Sequence, residues 1–134
     1  MKVYLSRWVC LDVDSNLARL EGECRAAVAA GAELVVFPES FLHGYARTVD
    51  PARARAAFAA ISAAAPATAF AFGSLSEQRR NRMTVWRAGS ERARYDKVHL
   101  FAPNGERELW EEGDRYAAVR LGGWTVGLLN CNDL

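Results

Sequence analysis

The strongest constraint on the fold of this chain is a run of four apolar residues. In ELVVFPES, residues 33–40, Leu34, Val35, Val36 and Phe37 follow one another without a polar break, and Pro38 stops them. A strand with no polar alternation is buried on both faces, as strands are inside a parallel sheet covered by helices, and proline cannot continue its ladder. The covering helix is written just upstream. Asp14 or Ser15 can cap a segment that lines up Leu17, Leu20, Cys24, Ala27 and Val28 on one face, and Gly31 ends it. Before it, VYLSRWV at 3–9 has strand composition. Strand, amphipathic helix and doubly buried strand predict a β-α-β unit.

A second unit follows. Asp50 before Pro51 is a cap with a first-turn proline, and Phe58, Ile61 and Ala65 make the apolar stripe of a helix that closes before Pro66. ATAFAFG at 67–73 reads as the next strand. The pattern then changes to paired strands: RMTVWRA and ERARYDKVHLF about Gly89-Ser90, and YAAVRL and WTVGLLNC about Gly122-Gly123, read as two hairpins. Helical units followed by hairpins, without a linker or repeat, predict one α/β domain over residues 1–134, built as a layered sandwich.

Composition narrows the function. With 51% hydrophobic and 25% charged residues, the chain has enough apolar content for one core. A net charge of +1 supplies no field to attract nucleic acid or an anionic membrane, and Arg79-Arg80 with Arg82 reads as a solvated turn. No apolar stretch approaches the roughly 20 residues of a membrane span. The start, MKVYLSRWVCLDVD, lacks the apolar segment and cleavage site of a signal peptide, which places the chain in the cytoplasm. Cys10, Cys24 and Cys131 are odd in number and have no C-x-x-C spacing, so they are expected to be reduced thiols.

Three chemically capable residues stand at or near strand ends, where sites in α/β sheets collect: Glu39 after LVVFP, Lys97 in RYDKVHLF and Cys131 in GLLNC. Each has a plain structural alternative. A lone buried cysteine usually behaves as a small hydrophobe, and a glutamate past a strand is usually solvated. A strand lysine is usually an edge charge, although alternation puts Lys97 on the face of Tyr95, His99 and Phe101. Only two lysines occur, so one kept in apolar company is notable. As a set the three make sense: a thiol needs a base, a carboxylate raised by burial can be that base, and an oxyanion needs a cation or N–H donors. Pairing Cys131 with His43 or His99 is a thinner alternative, since neither histidine has a local signature. Metal-ligand and phosphate-loop spacings do not appear.

In this order and spacing, VVFPESFLHGY around Glu39, YDKVHLF around Lys97 and GLLNCND around Cys131 resemble the three signature regions of the nitrilase superfamily of carbon–nitrogen hydrolases. Asn-Gly-Glu-Arg at 104–107, followed by Trp110 and Gly113, resembles the region that carries the family's second glutamate, here Glu106. Asn81 sits where an asparagine often enters a strand. The resemblance implies part of an α-β-β-α four-layer sandwich, about half of the full fold, and a chain expected to be truncated after the cysteine motif, where Asn132 takes the place of the usual tyrosine. It also implies a Glu39-Lys97-Cys131 triad that hydrolyses a small amide, carbamoyl or nitrile substrate through a thioester. Glu106 and the Asn132 backbone N–H would support it, and no metal or organic cofactor is implied. A homo-oligomer is expected, since an open sheet edge invites association. The rival expectation is a catalytically silent module of the same fold. An acyl transferase using these residues is a third, but its membrane-bound branch carries spanning helices that this sequence lacks.

Overall fold

The computed structural model describes residues 1–45 and 49–134. Its first elements are β1 (Val3–Leu5), α1 (Val13–Ala29), β2 (Leu34–Val36), α2 (Pro51–Ala64) and β3 (Ala69–Glu77). They build the expected parallel unit: β1 pairs parallel with β2, and β2 with β3. Two antiparallel strands, β4 (Arg80–Arg87) and β5 (Ser90–Asp96), extend the same sheet in the order β1-β2-β3-β4-β5. After a short helix α3 (Glu106–Leu109) come β6 (Ala117–Leu121) and β7 (Trp124–Leu128), an antiparallel pair that forms a second sheet.

Side-chain alternation along the strands divides the interior into two cores. On one face Val35, Phe70, Phe72 and Trp86 pack with Leu20, Cys24 and Ala27 of α1 and Ala54 and Phe58 of α2. The rings of Phe58 and Phe72 stack at 3.9 Å between centroids. On the other face Leu34, Ala69, Ala71, Met83, Val85 and Tyr95 meet Val119, Leu121 and Leu128 of the second sheet. The layers therefore run helix, sheet, sheet, which are three of the four layers expected. The apolar run Leu34–Phe37 is covered on both faces because one side meets helices and the other meets a sheet.

Several boundaries differ from expectation. β1 spans three residues, not seven, and past Leu5 only the Ser6 N–H bond to the Val36 carbonyl (2.9 Å) prolongs its pairing. The cap of α1 is Asp12, whose Oδ1 accepts from the Ser15 N–H at 2.9 Å, not Asp14 or Ser15. β3 also belongs to a hairpin, because it turns into β4 through Gln78 and Arg79, both at positive φ. The expected β4–β5 turn shifts by one residue to Ala88-Gly89, again both at positive φ, as a two-residue turn of matching twist requires. β5 stops at Asp96 and β7 at Leu128, so Lys97 and Cys131 follow strands instead of lying in them.

Two glycines let loops approach the sheet closely enough to form the site described below. A Cβ on Gly73 would lie 1.7 Å from the carbonyl oxygen of Pro38, and one on Gly113 would lie 2.1 Å from that of Asp96. Both obstacles are backbone just before Glu39 and Lys97. Gly22, in the exposed middle of α1, meets nothing within 4 Å. Gly73→Ala should therefore lower stability by about 1–3 kcal/mol through overpacking, while Gly22→Ala should raise it by about 0.5–1 kcal/mol. Urea midpoints for the two variants check this, and the opposite order would contradict the close approach.

Candidate active site

Glu39 stands just past β2, where the chain leaves the sheet. Phe37 continues the ladder by donating its N–H to Ala71 (3.0 Å), and Pro38 then ends it. The next residue, Ser40, adopts φ 52°, and its carbonyl accepts the N–H groups of His43 (3.2 Å) and Gly44 (2.7 Å). This tight turn is anchored from two sides. Asn16 of α1 donates to the Leu42 carbonyl at 2.9 Å, and the Ser76 N–H of β3 donates to His43 Nε2 at 3.2 Å. Because Nε2 accepts, the ring proton is on Nδ1, which faces the Gly44 carbonyl.

Lys97 is reached from the far end of the sheet. Arg82 grips Asp96 with two bonds, Nε to Oδ1 at 2.6 Å and Nη2 to Oδ2 at 2.8 Å, and so fixes the last pair of β4 and β5. Lys97 then donates its N–H to the Asn81 carbonyl (3.0 Å), and its own carbonyl accepts from Gly113 (2.8 Å). Its side chain is fully buried and spans two carboxylates, with Nζ 2.9 Å from Glu39 Oε1 and 2.9 Å from Glu106. Glu106 is itself 0% exposed and begins α3, where its Oε2 also accepts the Phe101 N–H at 2.8 Å.

Cys131 opens a single 3₁₀ turn, Cys131–Asp133, with φ 51°, a conformation sparsely populated by residues other than glycine. Its neighbours enforce that geometry. Asn130 and Asp133 form a reciprocal capping box. The buried carboxylate of Asp133 also accepts from Tyr95 Oη (2.6 Å) and the His99 N–H (2.9 Å), which ties the turn to the segment carrying Lys97. The side chain of Asn130 donates to Glu39 Oε1 at 3.1 Å and to Asn81 Oδ1 at 3.2 Å. Asn132 reaches the Leu100 carbonyl at 3.5 Å.

These contacts set the charges. Burial alone would raise the Glu39 carboxyl, but hydrogen bonds from Tyr45 and Lys97, the Lys97 charge and Asn81 together hold it below the ordinary carboxylate range. The expectation of a carboxylate raised by burial is thus reversed by its donors. Burial likewise opposes the Lys97 charge, yet the two glutamates outweigh it and hold the ammonium above its usual range. The Cys131 thiol is pushed up, first by burial and then by the Glu39 charge, with Lys97 pulling the other way. The resting site is therefore a carboxylate beside a protonated thiol.

The structure brings Glu39, Lys97 and Glu106 into direct contact and sets the Glu39 charge on Cys131. Asn81, noted at a strand entrance, donates to Glu39 Oε1 at 2.7 Å. The histidines belong to the scaffold: His43 engages Gly44 and Ser76, and His99 faces Asp133 at 3.3 Å. Among the other thiols, Cys24 is buried and pushed up to about 12, first by burial, whereas Cys10 is exposed. Sequence reasoning missed Tyr45, whose hydroxyl donates to Glu39 Oε2 at 2.6 Å, and the pair Asn130 and Asp133. The Asn-x-x-Asp spacing across Cys131 is a capping signal that could have identified that pair.

The carbon-nitrogen hydrolase family profile matches residues 4–134. A hydrolase encoded in the pqqF 5' region of Pseudomonas protegens is 34% identical over 138 residues, which is 92% of this chain and 47% of that protein. A mutant of the amidase from Nesterenkonia sp. AN1, in complex with butyramide, superposes with a TM-score of 0.84 at 25% identity, over 96% of this chain and 55% of that one. Another structure of that amidase, a nitrilase-superfamily enzyme, carries acrylamide added at its active-site cysteine. A carbon-nitrogen hydrolase from Helicobacter pylori G27 shares the fold, with a TM-score of 0.87 at 18% identity over 99% of this chain and 52% of that one. The chain spans about half the length of these relatives. With its profile match running from β1 to the last residue, and its layers and neighbours those of nitrilase-like amidases, the chain belongs to the carbon-nitrogen hydrolase family of the nitrilase superfamily.

Proposed function

We propose that this chain carries the reacting groups of a hydrolase of non-peptide carbon–nitrogen bonds in small amides, carbamoyl compounds or nitriles. The observation that carries this reading is the buried ammonium of Lys97 between Glu39 and Glu106, with the Glu39 charge bearing on the Cys131 thiol. A strand scaffold gains little from burying three ionised groups, since desolvation offsets most of their attraction. A site that must stabilise a developing negative charge gains much more.

For an amide, Glu39 accepts the proton of Cys131 as the sulfur attacks the carbonyl carbon. Charge moves onto the carbonyl oxygen, which Lys97 and the Asn132 N–H stabilise. As Lys97 turns toward that oxyanion its hold on Glu39 weakens, so the carboxylate gains proton affinity when it must carry the proton. Glu39 then protonates the leaving nitrogen, the C–N bond breaks, and ammonia or an amine departs from a thioester. Water, deprotonated by Glu39, attacks the thioester and restores the thiol, releasing the acid. Glu106 keeps Lys97 charged and aimed throughout. Butyramide, bound by the similar amidase, is the natural first substrate to test.

Ammonia release from butyramide by the protein tests the reading. Cys131→Ser and Glu39→Gln should each lower kcat at least about 100-fold. Lys97→Arg should do the same although it keeps the charge, because a planar guanidinium cannot take the position of a compact ammonium. Full activity in Lys97→Arg would reduce the lysine to a structural ion. With limiting iodoacetamide, peptide mapping should find the label on Cys131 ahead of Cys10, although both are exposed; the reverse order would argue against a reactive Cys131.

The charge state also predicts stability against pH. The Glu39 pKa is lowered by folding, so its contribution is present above the ordinary carboxylate pKa and is lost as pH falls through the lower folded value. The Lys97 pKa is raised, so its contribution is present below the ordinary ammonium pKa and is lost as pH rises through the higher folded value. Urea midpoints should be flat through neutrality and fall at both extremes, and Lys97→Met should lower the unfolding free energy at neutral pH by about 3–5 kcal/mol by leaving two buried carboxylates without their cation.

A further inference from the structure

The two oxygens of Glu39 are not equivalent. Oε1 accepts from three donors: Asn81 Nδ2 at 2.7 Å, Lys97 Nζ at 2.9 Å and Asn130 Nδ2 at 3.1 Å. A carboxylate oxygen offers about two lone-pair directions, so this oxygen is saturated. Oε2 accepts from Tyr45 Oη at 2.6 Å. We propose that Tyr45 is the positioning residue that dedicates Oε2 of Glu39 to proton transfer: three donors close Oε1, the Tyr45 hydroxyl fixes Oε2, and the remaining lone pair of Oε2 receives the Cys131 proton. The assignment rests on Glu39 being the base for Cys131, as proposed above.

Tyr45 is held for such a task. Its ring lies against Trp110, with centroids 6.0 Å apart, and the indole Nε1 of Trp110 donates to Ser76 Oγ at 2.9 Å. The same Ser76 uses its N–H to hold His43, two residues before Tyr45. One serine of β3 therefore anchors both the turn that carries Tyr45 and the ring that supports it. The charged and titratable groups around the carboxylate are Lys97 after β5, Glu106 of α3 behind that lysine, Cys131 on its turn and Tyr45 itself. Burial and the neighbouring Glu39 charge push the phenol far above its ordinary range, so Tyr45 keeps its proton and acts as a donor.

The hydrogen bond from Tyr45 favours the ionised carboxylate. Its removal should make Glu39 easier to protonate and shift the acid limb of any Glu39-dependent step to higher pH. In alkylation by iodoacetamide the S–C bond forms, iodide leaves, and the thiol proton passes to Glu39 and then to solvent. We would follow the Cys131 alkylation rate from about pH 2.5 to 9, by brief pulses at the acid end, in a Cys10→Ser background, with Tyr45→Phe and Glu39→Gln added separately. Tyr45→Phe keeps the ring on Trp110, and an unchanged urea midpoint verifies the fold. The expected result is an acid limb abolished by Glu39→Gln and shifted upward by about one pH unit in Tyr45→Phe. A limb abolished by Glu39→Gln but unmoved in Tyr45→Phe overturns the role of Tyr45 and leaves the Glu39 base standing. A rate profile untouched by Glu39→Gln removes the base itself, and the inference with it.

Discussion

An ammonium group with no solvent contact has to find its counter-charges inside the protein, and the rest of this structure is arranged around that requirement. Lys97 cannot be buried as a cation unless Glu39 and Glu106 are brought to it, and these come from opposite directions in the chain. Glu39 arrives from the parallel half of the sheet through a tight turn, and Glu106 from the short helix after β5. Two glycines with no room for a side chain let the backbone before two of these groups pack closely, Gly73 against Pro38 before Glu39 and Gly113 against Asp96 before Lys97. The ion cluster, the glycines and the loop lengths are thus one solution to a single electrostatic problem.

Asn81 shows how economically the cluster is tied to the sheet. Its carbonyl holds the Lys97 backbone while its side chain holds the Glu39 carboxylate and meets Asn130. One residue at the start of β4 therefore registers all three limbs of the site.

Much of this was legible in the sequence, and the failures have physical causes. The run Leu34–Phe37 identified the doubly covered strand because burial on two faces leaves no polar alternation. Asp50-Pro51 located the start of α2 to the residue, because cap and first-turn proline act through local geometry. Lys97 is buried, as its apolar sequence neighbours suggested, but its ammonium lies between two carboxylates, and strand alternation does not apply past Asp96, where β5 ends. The length of β1 was overread because strand composition in SRWV does not supply a pairing partner. Tyr45 escaped notice because its role is to hold another residue, and neither its bond to Glu39 nor that of Asn130 leaves a periodic trace in the chain; only the capping spacing of Asn130 and Asp133 is written locally.

The backbone of Cys131 has a consequence for how the site is probed. At φ 51° the residue sits where a side chain is disfavoured by roughly 1–3 kcal/mol, and the capping box with the Tyr95 and His99 contacts of Asp133 keeps it there. Replacement by glycine would do more than delete the sulfur: it would remove the steric cost of positive φ and leave the turn held by the other contacts alone, with a wider range of backbone angles open to it. A glycine variant made to trap a bound ligand would therefore report on a softened pocket, while alanine or serine, which retain the Cβ, would preserve the tension under which the thiol is presented.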